Sequence, residues 1–154
     1  ERVRAAALTV RNRLDELGFA SFLKTSGGKG FHVVMPLKPK AGWDEIKAFA
    51  RDFAKAMEQA QPKLYTATLS KQARKGRIFV DYLRNGRGAT AIAPYSTRAR
   101  PGAPVAMPVA WGRLSHLAPD AFKADTIGAG ESEDEAWRGF FELARTLTGR
   151  RDAE

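Results

Sequence analysis

The sequence predicts an α+β fold in which a mixed sheet is covered by packed helices. Three observations carry this: apolar residues recur at helical spacing in three stretches, short apolar strands lie between them, and turn-forming glycines separate the strands. In order, the elements are helix, strand, strand, helix, strand, strand, helix. At 154 residues with no periodic repeat, the chain suits a single domain, residues 1–154, with its own core.

Val3, Ala7, Val10, Leu14 and Leu17 place the opening helix at residues 2–17, and Gly18 is its natural stop. Such a helix normally follows a strand, so the expectation is a fold lacking one strand upstream of Glu1. Residues 19–25 and 31–36 are predicted strands joined by the turn Ser26-Gly27-Gly28-Lys29-Gly30. Asp44 and Glu45 put acid in the first turn of a second helix, whose stripe Ile46, Phe49, Phe53 and Met57 ends before Pro62. Residues 64–76 are polar and allow at most a short helix with Lys71 and Arg74 on one face. Residues 77–83 predict a strand, and Asn85-Gly86 predicts a hairpin returning at 89–93. Four prolines make residues 94–108 a loop or an edge strand, with 105–111 the candidate edge. Ser132 and Glu135 form a capping box for a closing helix, with Trp137, Phe140, Phe141, Ala144 and Leu147 as its buried face and Gly149 as its end.

Lys and Arg outnumber Asp and Glu 26 to 17, a formal charge of +9, which favours a polyanionic partner. A basic surface that serves solubility alone is the plain alternative. The chain has no cysteine, which excludes a disulfide framework and a thiolate zinc site and suits a reducing compartment. No apolar run approaches the roughly 20 residues of a membrane-spanning helix. The first residues alternate charged and apolar groups too regularly for a secretory signal.

Two stretches carry chemistry. In the turn after Thr25, glycine lets backbone amides approach an anion closely, while Ser26 and Lys29 add a hydroxyl and a charge. It is not a Walker A loop, because the first glycine of that pattern would fall on Leu23. His32 shares a strand face with Val34, whereas Phe31, Val33 and Met35 point the other way; a core histidine bonded to a carbonyl fits the same pattern. The second stretch is RIFVDYLRNGRG, in which Asp81 interrupts a strand between Val80 and Tyr82. Burying that carboxylate is costly unless a metal or an arginine meets it, and Lys71, Arg74, Arg84 and Arg98 flank it in sequence. An exposed edge-strand aspartate paired with arginine is the other reading.

KTSGGKGFHVVMPL, followed by GRIFVDYLRNGRGATAIAPYSTRARPGAPVAMPVAW, resembles the polymerase domain of bacterial ATP-dependent DNA ligase D, in the archaeo-eukaryotic primase superfamily. The likeness runs from the opening helix to the final one. It implies a primase-like palm related to the RNA-recognition-motif fold, of which this chain is the C-terminal portion. The implied activity is template-directed, ribonucleotide-tolerant addition of nucleotides to DNA ends in non-homologous end joining, at a site holding two Mn2+ or Mg2+ ions. In the resemblance Ser26, Lys29, His32, Arg84 and Arg98 bind the nucleotide, Asp81 is the catalytic metal ligand, and Lys71 and Arg74 contact DNA and phosphates. Implied partners are DNA ends, nucleoside triphosphates, attached ligase and nuclease domains and the end-binding Ku protein, in the bacterial cytoplasm at the nucleoid and with no membrane. The family's Asp-x-Asp pair lies on the strand before the first helix. Asp15, Glu16, Asp44, Glu45, Asp52 and Glu58 sit in helical patterns and do not replace it, so the isolated chain is expected to be inactive or nearly so. A non-catalytic nucleic-acid-binding module is the alternative from another class.

Overall fold

A computed structural model of the chain describes residues 1–127 and 136–147. In chain order the elements are α1 (Arg2–Glu16), β1 (Phe22–Thr25), β2 (Phe31–Val34), α2 (Trp43–Ala60), β3 (Tyr65–Thr66), β4 (Ile78–Phe79) and β5 (Pro108–Val109), followed by a 3-10 helix at Trp111–His116. They fall into two compact units, one of Glu1–Pro36 with Ile92–Arg145 and one built on Leu37–Ala91.

In the first unit α1 ends where the sequence places its stop. Gly18 takes φ +81° and its amide donates to the Asp15 carbonyl at 2.9 Å, a conformation that costs other residues energy. The sheet has order β2-β1-β5 with both pairs antiparallel, so β5 is the edge strand expected in this region. The register pairs Leu23 with Val33 and Lys24 with His32. Alternation therefore sends Leu23, Phe31 and Val33 to one face and Phe22, Lys24, His32 and Val34 to the other. The first face meets Ala7, Val105, Met107, Val109, Leu114 and Leu117 in the core, as the strand pattern implied.

Phe22, on the second face, is covered by Trp137 and Phe140 at ring separations of 5.8 and 5.1 Å, and Trp137 Nε1 donates to the Leu23 carbonyl at 2.8 Å. The expected closing helix is not formed over the described residues, which make successive turns from 136 to 143. Gly139 at φ +81° breaks the helical path, so Phe140 packs inward while Phe141 is 84% exposed. Ser132, Glu135 and Gly149 lie outside the described residues.

In the second unit Glu45 accepts the Gly42 amide at 2.8 Å and fixes the start of α2, and Ala54 and Met57 carry its buried face. Residues 64–76, which the sequence allowed at most a short helix, form β3 and a run of turns. β3 is buried and pairs in parallel with β4, Tyr65 opposite Ile78 and Thr66 opposite Phe79. The predicted strand at 77–83 shrinks to Ile78–Phe79, and the Asn85-Gly86 hairpin with its return strand at 89–93 does not form. Side chains explain why. Asp81 Oδ1 accepts the Leu83 amide at 2.9 Å and Asn85 Nδ2 donates to the Tyr82 carbonyl at 3.1 Å, so local bonds replace a ladder.

Candidate functional site

The glycine turn is held from within. Ser26 is 5% exposed; its hydroxyl donates to the Gly30 carbonyl and accepts the Gly28 amide at 3.1 Å. Ser26 thus shapes the turn, and the turn's outer surface is left to backbone and cations. Gly27 takes φ +68°, and its amide donates to the Pro119 carbonyl at 2.9 Å. A Cβ at Gly27 would stand 3.1 Å from the Pro104 carbonyl oxygen, so the position needs glycine on both counts.

The proline-rich segment brings arginines to this turn. Tyr95 donates to the Ala106 carbonyl at 2.7 Å, Ala106 to Ser96 at 2.9 Å and Arg98 to Pro104 at 2.9 Å, which folds residues 95–98 back along 104–106. Arg98 Nη1 then donates to the Ser26 carbonyl at 3.4 Å. Arg98 Nη1 and Arg100 Nη1 each lie 3.2 Å from the point a Cβ on Gly28 would occupy. Two guanidinium groups therefore converge on the turn, and among the described residues no carboxylate pairs with either. Lys29, Arg100 and the two glycines line a cavity of about 390 Å³ that opens beside them. Asp120 also lines it, but its Oδ2 lies 3.6 Å from Lys123 Nζ. Arg98, Arg100 and Lys29 thus give the turn a cationic surface, while the Gly27 and Gly28 amides that the sequence offered to an anion are already taken by the Pro119 carbonyl and the Ser26 hydroxyl. Sequence reasoning named Arg98 and Lys29 and missed Arg100, for which the signal is the alternation of Arg98 and Arg100 along an extended segment.

His32 is half-buried on the face away from the core, directly across from Lys24. Lys24 is 4% exposed, and its Nζ donates to the Ile92 carbonyl. Burial of the amine pushes its pKa below the ordinary lysine value.

Asp81, Arg84, Lys71 and Arg74 belong to the second unit. Asp81 is exposed just past β4, with no ion pair among the described residues, which corrects its placement within a strand and its pairing with an arginine. The strand ends before Asp81, so the carboxylate meets solvent and needs no buried counterion. Lys71 and Arg84 are exposed, and the Arg74 guanidinium lies 5.3 Å from the centre of the Phe79 ring with its Nε buried and unpaired. Among the described residues no group of three His, Cys, Asp or Glu side chains could hold a metal ion. Asp81 offers one carboxylate toward the implied ions.

Residues 1–137 match the family model of the LigD primase-polymerase domain. The chain belongs to this family. Curated relatives include multifunctional non-homologous end joining proteins LigD from Pseudomonas aeruginosa, 52% identical over 104 residues, and Mycobacterium tuberculosis, 40% identical over 108. A bifunctional LigD from Bacillus subtilis is 36% identical over 124 residues. These alignments cover 68%, 70% and 79% of this chain but 12%, 14% and 20% of the relatives, so the chain spans a small part of their length. The polymerase domain of Mycobacterium tuberculosis ligase D, solved in complex with DNA, superposes with a TM-score of 0.72 at 35% identity, covering 88% of this chain and 44% of that one. The α+β class read from the sequence is thus the fold of a LigD polymerase domain. No described helix is long and apolar enough to cross a membrane.

Proposed function

We propose that this chain is part of a LigD nucleotidyltransferase that adds nucleotides, ribonucleotides included, to DNA ends during non-homologous end joining. The observation that carries the reading is the cationic cluster at the glycine turn, where Arg98, Arg100 and Lys29 gather in a LigD primase-polymerase fold. A nucleoside triphosphate fits that chemistry. Its phosphate chain would lie against the guanidinium groups and Lys29, with His32 on the neighbouring strand; that Arg84 also binds the nucleotide rests on family likeness alone.

In the reaction a primer 3′-hydroxyl attacks the α-phosphate and pyrophosphate leaves. Arginines on the phosphates neutralise charge that builds on the leaving group, and they hold the chain in line for attack. Bound divalent ions, manganese by family likeness, would supply Lewis-acid stabilisation of the attacking and leaving oxygens, with Asp81 a ligand. Lys71 and Arg74 would meet DNA phosphates. Ku and attached ligase and nuclease domains are the partners this reading implies.

Primer extension with manganese tests it. In a protein joining this chain to an Asp-x-Asp strand ahead of α1, Asp81→Ala should reduce nucleotide addition at least about a hundredfold, because a lost metal ligand removes transition-state stabilisation. The 154-residue chain alone should extend primers little or not at all. Full activity after Asp81→Ala would return Asp81 to an ordinary turn-forming role. A second reading, a nucleic-acid-binding module without catalysis, is favoured by the net charge of +9 and by the lack of a metal-holding cluster among the described residues. DNA binding without extension by the longer protein would select it.

A further inference from the structure

Lys24 is the one buried lysine among the described residues, and nothing in the reaction above uses it. It sits on the central strand, between His32 on one side and Pro108 on the other. A lysine at 4% exposure is unusual without an anionic partner, and among the described residues no carboxylate pairs with it. Its Nζ instead donates to the carbonyl of Ile92, 68 residues away. Retaining a poorly solvated amine there costs stability, and a methionine or leucine would fill the same volume at lower cost.

The place it reaches suggests what the amine does. Ile92 opens the segment that carries Arg98. Downstream, the segment is fastened by the bonds of Tyr95, Ala106 and Arg98 to opposing backbone, and then by Arg98 to the Ser26 carbonyl. Upstream of Tyr95 it has no strand ladder, and Ala93 and Pro94 are exposed. Lys24 is thus the tie at the segment's leading end, and it springs from the strand that continues directly into Ser26.

We propose that Lys24 is a positioning residue: by bracing the Ile92 carbonyl from the centre of the sheet, it sets the path of residues 92–98 and so places Arg98 over the Ser26–Gly28 turn. The ligand arm of the test rests on the nucleotide reading above; the backbone arm does not.

The test compares the full chain with Lys24→Met, Arg98→Ala and the double variant, reading ATP affinity by calorimetry and backbone order by amide hydrogen exchange. Lys24→Met should weaken ATP binding about tenfold in the wild-type background and add nearly nothing once Arg98 is gone, as expected of coupled residues. Exchange at the amides of Tyr95 and Arg98 should speed up about tenfold while α1 stays unchanged. Equal losses of affinity in both backgrounds, exchange that rises uniformly, or exchange that does not change would each reduce Lys24 to a plain core residue. Should Lys24→Met fail to fold, Lys24→Gln, which keeps a polar tip but ends short of Ile92, takes its place with the same readouts. Absence of ATP binding by the wild type would overturn the nucleotide reading, and the exchange result would still decide the role of Lys24.

Discussion

Arg98 donates from Nη1 to the backbone carbonyl of Ser26 at 3.4 Å across 72 residues of sequence. This bond joins the proline-rich segment to the glycine turn and uses only one of the guanidinium's five donors. The cationic surface at the turn therefore depends on both the turn's geometry and the segment's path.

Glycine should be required at two positions for different reasons. Gly27→Ala meets positive φ and the Pro104 carbonyl, so it should cost roughly 1–2 kcal/mol of stability, read as a lower urea midpoint. Gly28→Ala crowds the flexible ends of Arg98 and Arg100 and meets Ser26 Oγ at an ordinary contact of 3.5 Å. It should leave stability nearly unchanged and weaken ATP binding by displacing both guanidinium groups. Unaltered affinity would place the phosphates elsewhere.

His32→Ala should weaken nucleoside triphosphate binding by about three- to tenfold, the worth of one net hydrogen bond. Calorimetry returning the wild-type affinity would remove His32 from the site and leave it a strand residue across from Lys24.

DNA binding should fall steeply with salt and show little sequence preference. A protein neutralising about six phosphates loses about a thousandfold in affinity between roughly 50 and 200 mM salt. Fluorescence anisotropy showing a flat response would contradict an electrostatic interface for this +9 chain.

The buried amine of Lys24 predicts a pH signature. Its folded pKa lies below 10.5, so between the two values the unfolded chain binds the proton and the folded chain does not. Stability from this group is complete above pH 10.5 and is lost as pH falls through the folded value. Urea midpoints of wild type relative to Lys24→Met should accordingly rise as pH is raised from neutral toward 10.5. A constant difference would mean that the amine is not desolvated.

Local pattern determined α1, α2 and the β1–β2 hairpin, because helical stripes, strand alternation and a glycine turn are encoded within a few residues of where they act. The face assignment of His32 followed from the same alternation. β3 was hidden, since a two-residue strand is defined by its parallel partner and not by its own periodicity. The hairpin at Asn85-Gly86 failed because Asp81 and Asn85 spend their side chains on nearby backbone, a competition that residue type allows but pattern does not reveal. Gly139 broke the closing helix despite its well-spaced aromatics. Tertiary structure alone decided that Arg98 and Arg100 meet the turn and that Lys24 is buried against Ile92, because both depend on a segment some 70 residues downstream folding back across the sheet.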